Sequence, residues 1–248
     1  MRVVIIIPAR YKSSRFPGKP LAKILGKEMI LRVLEICSRL FNKKRIFVAT
    51  DDKKIKKIVE TNNFSAIMTS SKCLTGTDRV AEANIKIKSN IIINIQGDEP
   101  LIKLVDIKKI LDAKMKFPKH VICGYTFITK KNDENNINLP KVVLNQKSDL
   151  IYISRVPVPG KKENSKKIKY LKQVCIYAFN KNQLNKFKKF GKKSDLEKLE
   201  DIEILRFFEL GIPVKMIPLS KSSIAVDVKT DIKKVEKYLL NEKKVSRS

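Results

Sequence analysis

Apolar runs and helix-period segments alternate along the first half of this chain. Residues 3–7 are all Val or Ile, a β-branched block that reads as a buried strand, and Pro8 ends it because it has no ladder donor. Over 28–41, Met29, Ile30, Val33, Leu34, Cys37 and Leu40-Phe41 recur at helical spacing. Residues 45–50 form a second strand pattern, and Asp51-Asp52 opens a Lys-rich helix. A third strand is predicted over 65–70, a helix over 75–88, the most apolar strand over 91–95 and a helix over 103–116. Strict strand–helix alternation predicts a doubly wound, mainly parallel α/β sheet.

From Val121 the pattern changes. Strand-like runs at 121–128, 141–144, 150–155 and 173–179 follow one another, separated by polar stretches at 130–138 and 159–169. This pattern fits an antiparallel appendage on the sheet or an arm that pairs with a second subunit. An amphipathic helix is predicted over 195–210, with Gly211 and Pro213 as its stop signal. Strands at 214–219 and 224–228 and a helix over 231–240 complete the chain, which reads as one domain of 248 residues with an insertion at about 121–180.

Charge alters this picture only at the surface. The formal net charge is +29, but the basic residues are spread over the whole chain and are mostly Lys, unlike a concentrated nucleic-acid footprint. Such a field speeds the arrival of anionic substrates. Cys37, Cys73, Cys123 and Cys175 form no CxxC pair, so zinc is not expected and a reducing compartment is. No signal peptide and no run of about 20 apolar residues is present, which predicts a cytoplasmic protein. The lone His120 beside a strand is expected to be structural.

Three segments could carry chemistry. The loop after the first strand holds Arg10, Lys12, Ser13, Ser14, Arg15 and Lys19 around the Pro17-Gly18 turn. A basic loop at the carboxyl end of a strand suits phosphate oxygens, and it would equally serve as a solvated turn. Gln96-Gly97-Asp98-Glu99-Pro100 follows the most apolar strand. It makes a turn, and Asp98 there is also placed for Mg²⁺. Thr75-Gly76-Thr77-Asp78-Arg79 opens a helix whose amides and Arg79 suit an anion or carbonyl, with Thr77 as the N-cap.

These segments resemble the sugar-activating nucleotidyltransferases, and among them the 3-deoxy-manno-octulosonate (Kdo) cytidylyltransferase, or CMP-Kdo synthetase, family. The opening stretch IIIPARYKSSRFPGKPLAKILGKEMI matches with Arg10, Arg15 and Lys19 in register, and QGDEP resembles the family's metal signature. TGTDR is similar to the family's SGTER, with Asp78 for Glu, and Ala225-Val226-Asp227-Val228 is similar to the start of its late VDTPED segment. The resemblance implies a nucleotide-diphospho-sugar transferase type of Rossmann-like fold and a homodimer using the antiparallel segment. It implies transfer of CMP from CTP to the anomeric hydroxyl of a 2-keto sugar acid for lipopolysaccharide biosynthesis, with release of pyrophosphate. Nucleotide contacts are implied for Arg10, Ser13, Arg15, Lys19, Arg79 and Gln96, catalytic roles for Lys19, Asp98 and Asp227, and Mg²⁺ ligation for Asp98 and Asp227. Asp231 is then expected to cap the last helix.

On the acceptor side, YISRVP resembles the family's YFSRxxIP and implies Arg155 as partner of the sugar carboxylate. Gln173, Tyr177 and Glu203 are implied as further acceptor contacts. Here the chain departs from the pattern: Gln173 stands for a histidine, Cys175 for a glycine and Ile204 for a glutamine. Kdo, 8-amino-Kdo and an N-acylneuraminate therefore all remain acceptors to be distinguished. The competing classes are a nucleotidyltransferase for another base or a sugar phosphate, and a basic nucleic-acid-binding protein.

Overall fold

The computed structural model describes residues 1–13, 16–129, 132–160, 162, 168–220 and 224–245. The chain runs from β1 (Val3–Ala9) through a two-stranded hairpin, β2 (Lys23–Ile24) and β3 (Lys27–Glu28), into α1 (Met29–Ser38). There follow β4 (Ile46–Thr50), α2 (Lys53–Thr61), β5 (Ser65–Met68), α3 (Gly76–Ile87), β6 (Ile91–Ile95), α4 (Leu104–Lys116) and β7 (Val121–Phe127). Then come β8 (Lys141–Leu144), β9 (Leu150–Ser154), β10 (Leu171–Asn180), α5 (Lys181–Phe190), α6 (Asp195–Glu200), α7 (Ile204–Glu209), β11 (Val214–Pro218) and α8 (Lys229–Val245).

The central sheet has the order β11-β7-β10-β6-β1-β4-β5. Its β6-β1-β4-β5 half is parallel, as are β7 and β11. Only β10 runs against its neighbours, wedged between β6 and β7. Two cores cover the two faces. On one, Ile5, Ile7 and Ile93 pack with Val33, Ile55 and Ile110 of α1, α2 and α4. On the other, Val4, Ile6 and Phe179 pack with Val80, Phe187 and Phe207 of α3, α5 and α7. Burial on both faces is why these strands read as unbroken apolar runs. A third, smaller core joins α8 to the first loop through Phe16, Met29, Leu101, Val226 and Val235.

The structure corrects the sequence reading at four places. β1 does not end at Pro8: it runs on to Ala9, with Pro8 opposite Ala49 in the parallel register. The antiparallel appendage is smaller than its strand pattern suggests: β7 and β10 belong to the central sheet, and only β8 and β9 extend from its path. Val121, Ile122 and Cys123 are fully buried, the mark of a central strand. The helix predicted over 195–210 is two helices, broken at Asp201 in the left-handed region (φ +49°). Arg155 holds the break open by donating to the carbonyls of Glu200 and Asp201. Finally, residues 224–228 form no strand. Val226 is fully buried in the third core, and its amide donates to the Asp98 carbonyl at 2.9 Å, so this stretch lies beside the β6 loop.

Candidate active site

β1 and β6 are parallel neighbours, so their carboxyl ends place loop 8–19 against loop 96–100. The first loop turns tightly at Gly18, which has a φ of +71° that glycine adopts without cost. The Gly18 amide donates to the Tyr11 carbonyl at 2.9 Å, and the Ser13 hydroxyl accepts from the Phe16 amide. That turn presents Lys19 inward, while Arg10 is exposed at the mouth. The cleft between the loops is lined by Arg10, Lys19, Met29, Gln96 and Asp98 among others. Arg15 lies outside the described residues.

Lys19 ties the site together. Its ammonium pairs with Asp98 Oδ2 at 2.5 Å and donates to the Val226 carbonyl at 3.0 Å. With the Val226 amide on the Asp98 carbonyl, these bonds bring the segment before Asp227 alongside Asp98. Asp231, in the first turn of α8, accepts from the Asp227 and Val228 amides. It thus caps the helix from inside; against the effect of burial, Lys234 and these two amides lower the pKa of its carboxyl from its ordinary value. Among the described residues no group of three or more His, Cys, Asp or Glu is arranged for a metal. Two carboxylates from adjacent loops, both hard oxygen donors and one lining an open cleft, fit an ion that draws its remaining ligands from phosphates and water.

Deeper in the cleft, the Gln96 side chain lies over the start of α3. A Cβ on Gly76 would stand only 3.2 Å from Gln96 Nε2, so the glycine permits this approach. The N-cap of α3 is Thr75, not Thr77: Thr75 and Asp78 form a reciprocal capping box. The Thr77 amide instead donates to Glu203 Oε2 at 3.0 Å, and Gln96 Nε2 donates to Glu203 Oε1 at 3.4 Å. Desolvation pushes the Glu203 pKa above its ordinary value, opposed by hydrogen bonds from Thr77 and Thr75. The fold alone brings Gln96 and Glu203 together, since 107 residues separate them along the chain.

Other predicted residues are held differently. Arg79 is buried, with its guanidinium on Asp51 at 3.1 Å and on Thr69 at 2.6 Å. Arg155 donates to the Glu200, Ile137 and Asp201 carbonyls, and so anchors the loop between α6 and α7. Gln173 and Tyr177 are buried, with Gln173 Nε2 donating to the Tyr177 hydroxyl at 3.3 Å. Burial, with Cys175 beside it, raises the Tyr177 pKa well above normal, so the phenol stays protonated. Asn94 was not singled out by its sequence context. It is fully buried, is the register partner of Tyr177, and has neither amide atom paired. An isolated Asn in the run Ile91–Ile95 was its only signal. His120 sits at the opposite end of the sheet, edge-on to Phe117. The cysteines are all free, and burial raises Cys37 and Cys123 to about 12, which removes them as nucleophiles.

A doubly wound sheet with a cation-bearing loop after β1 and a carboxylate at the tip of β6 defines a nucleotide-binding α/β protein. The family described as Cytidylyltransferase matches residues 4–221. A 3-deoxy-manno-octulosonate cytidylyltransferase of Escherichia coli is 34% identical over 97% of both chains. The one from Thermodesulfovibrio yellowstonii is 38% identical over 96% of this chain and 98% of its own. An 8-amino-3,8-dideoxy-manno-octulosonate cytidylyltransferase of Shewanella frigidimarina is 37% identical, over 95% and 98%. A solved CMP:2-keto-3-deoxy-manno-octonic acid synthetase in complex with CTP superposes with a TM-score of 0.89 at 35% identity, covering 98% of this chain and all of that one. The chain belongs to the cytidylyltransferase family, with the 3-deoxy-manno-octulosonate enzymes among its relatives. No helix among the described residues is long and apolar enough to cross a membrane.

Proposed function

We propose that this chain transfers CMP from CTP to the anomeric hydroxyl of a 3-deoxy-manno-octulosonate-type sugar acid, releasing pyrophosphate. The observation that carries this reading is the meeting, at the ends of β1 and β6, of Lys19 and Asp98 on one side with Gln96 and Glu203 on the other. In this reaction the sugar hydroxyl attacks the α-phosphorus and charge builds on phosphoryl oxygens, so the site must supply cations and alignment rather than a nucleophilic side chain. Arg10, Arg15 and Lys19 bind the triphosphate, with Ser13 shaping their loop and Gln96 reaching the nucleotide or the acceptor beside it. Asp98 and Asp227 hold Mg²⁺. When bound, the ion supplies Lewis acidity at the α-phosphate and a lower pKa for the attacking hydroxyl. Lys19 keeps the two carboxylate-bearing loops together. Arg79 acts from behind α3, fixing the ends of β4 and β5 at the nucleotide side.

Glu203 and Gln96 face the acceptor, over a floor made by Gln173 and Tyr177. Arg155 meets the sugar carboxylate by exchanging one of its carbonyl partners. We place the protein in the cytoplasm, on a route to lipopolysaccharide, and as a homodimer whose contact uses β8 and β9, near which Phe127, Ile137, Ile151 and Val156 are exposed.

The test is pyrophosphate release with Mg²⁺ and CTP against Kdo, 8-amino-Kdo and N-acetylneuraminate. Release with Kdo supports the reading in full. Release only with the 8-amino acid keeps the reaction and moves the specificity, a second outcome favoured by relatives of both kinds at 37–38% identity. Silence with all three acids and all four nucleotides refutes it.

A further inference from the structure

Arg206 is fully buried, and its charge is spent entirely on two carboxylates. Its Nε and Nη2 grip Glu197 of α6 at 2.6 and 2.7 Å, and its Nη1 reaches Asp78 of α3 at 2.7 Å. Its guanidinium lies on the Phe187 ring, 3.8 Å from the centroid. Asp78 in turn holds the Thr75 amide and hydroxyl at 3.0 and 2.8 Å. A second link joins the same two helices in the opposite sense: the Thr77 amide of α3 donates to Glu203, three residues before Arg206. Together the two links tie α7 to α3 at two points. The second oxygen of Glu203 is the one that meets Gln96.

The charges reinforce this geometry. Asp78, Glu197 and Glu203 converge on the start of α3, and Asp78 opposes ionisation of Glu203. Without a buried cation the three carboxylates would repel one another, and Glu203 is the one not gripped by a guanidinium.

We propose that Arg206 is a positioning residue for acceptor recognition: by clamping α6 and α7 to the first turn of α3, it sets the Glu203 carboxylate beside Gln96. The inference rests on the proposed function, in which that pair faces the sugar acid. A lysine cannot reproduce the forked, stacked contact of the guanidinium.

The experiment measures KM for CTP and for the active sugar acid, with kcat, in the full-length protein and two variants. The first variant is Arg206→Lys. The second combines Arg206→Met with Asp78→Asn and Glu197→Gln, which removes the buried charges together and so avoids leaving carboxylates unpaired. Circular dichroism and thermal melts establish folding. A folded variant should show an acceptor KM raised about tenfold or more with the KM for CTP within about twofold. In the Lys variant the loss should be the smaller of the two. Kinetics equal to wild type in a folded variant overturn the proposal, as does an equal rise in both KM values. A wild-type protein silent with every acid overturns the proposed function, and the role of Arg206 with it. Wild-type turnover with an unmoved acceptor KM overturns this inference alone.

Discussion

Lys19 and Asp98 stand 79 residues apart in the chain and pair at 2.5 Å across the cleft, with the Val226 carbonyl as a second acceptor for the same ammonium. The side chains are 16% and 28% exposed, so the pair is only partly desolvated, and its net worth to folding is about 1 kcal/mol or less. Its importance lies in where it puts a cation: at the one end of the sheet where a triphosphate would bring negative charge.

Lys19→Met should therefore lower kcat about a hundredfold or more while shifting stability by no more than about 1 kcal/mol. Pyrophosphate release and urea unfolding measure the two effects. A variant that is fully active would remove Lys19 from the reaction.

Asp98→Asn and Asp227→Asn should each reduce turnover by about a hundredfold or more, and each should raise the Mg²⁺ concentration needed for half-maximal rate. Retention of wild-type activity and Mg²⁺ response by both would dismiss the metal assignment. A nucleic-acid-binding protein would instead bind as well or better after losing either acid, with a steep salt dependence.

Gly97 separates Gln96 from Asp98. A Cβ there would sit 3.2 Å from the Pro8 carbonyl oxygen and 3.3 Å from Ile30 Cδ1, and backbone cannot yield as a flexible side chain does. Gly97→Ala should cost about 1–2 kcal/mol in urea unfolding and about tenfold in kcat, since it displaces both flanking residues. Unchanged stability and rate would mean that the loop relaxes freely.

Lys114 offers a pH test away from the cleft. It is fully buried between α4 and α5, with its ammonium on the Pro118 and His120 carbonyls and Gln183 Oε1 at 3.1, 2.6 and 2.8 Å. Burial lowers its pKa from 10.5 to about 7. Between those values the unfolded chain binds more protons than the folded one, so this residue's contribution to stability rises from pH 7 towards pH 10.5. Relative to Lys114→Met, the wild type should gain up to about 1.4 kcal/mol per pH unit in that window, read by urea unfolding at pH 7 and pH 9. A difference independent of pH would show that Lys114 keeps its proton throughout.

Much of the site was visible along the chain because each piece is local. A strand end, a Pro-Gly turn and a carboxylate after an apolar run are each set by a few neighbouring residues, so Lys19, Gln96 and Asp98 could be marked on the loops that line one cleft. Asp227 could be marked as an acid after an apolar run, but the strand expected around it was wrong. Val226 answers to Phe16, Met29 and Leu101, more than a hundred residues away, and not to its own neighbours. Arg79 and Arg155 show the same limit. Their charge was legible, but nothing nearby in the chain says that Asp51 or the carbonyls of Glu200 and Asp201 would take it.

Periodicity and turn chemistry thus decided the alternating α/β plan, the loops at its strand ends and the residue types they carry, since those depend on interactions within about a dozen positions. Folding in three dimensions decided that β10 enters the sheet antiparallel between β6 and β7, and that the helix predicted over 195–210 breaks so that Glu203 meets Gln96. It also decided that Arg206 is buried between Asp78 and Glu197. These outcomes depend on pairings between distant segments, whose free energy comes from surfaces buried together and charges brought into contact. No local window of the chain contains both partners.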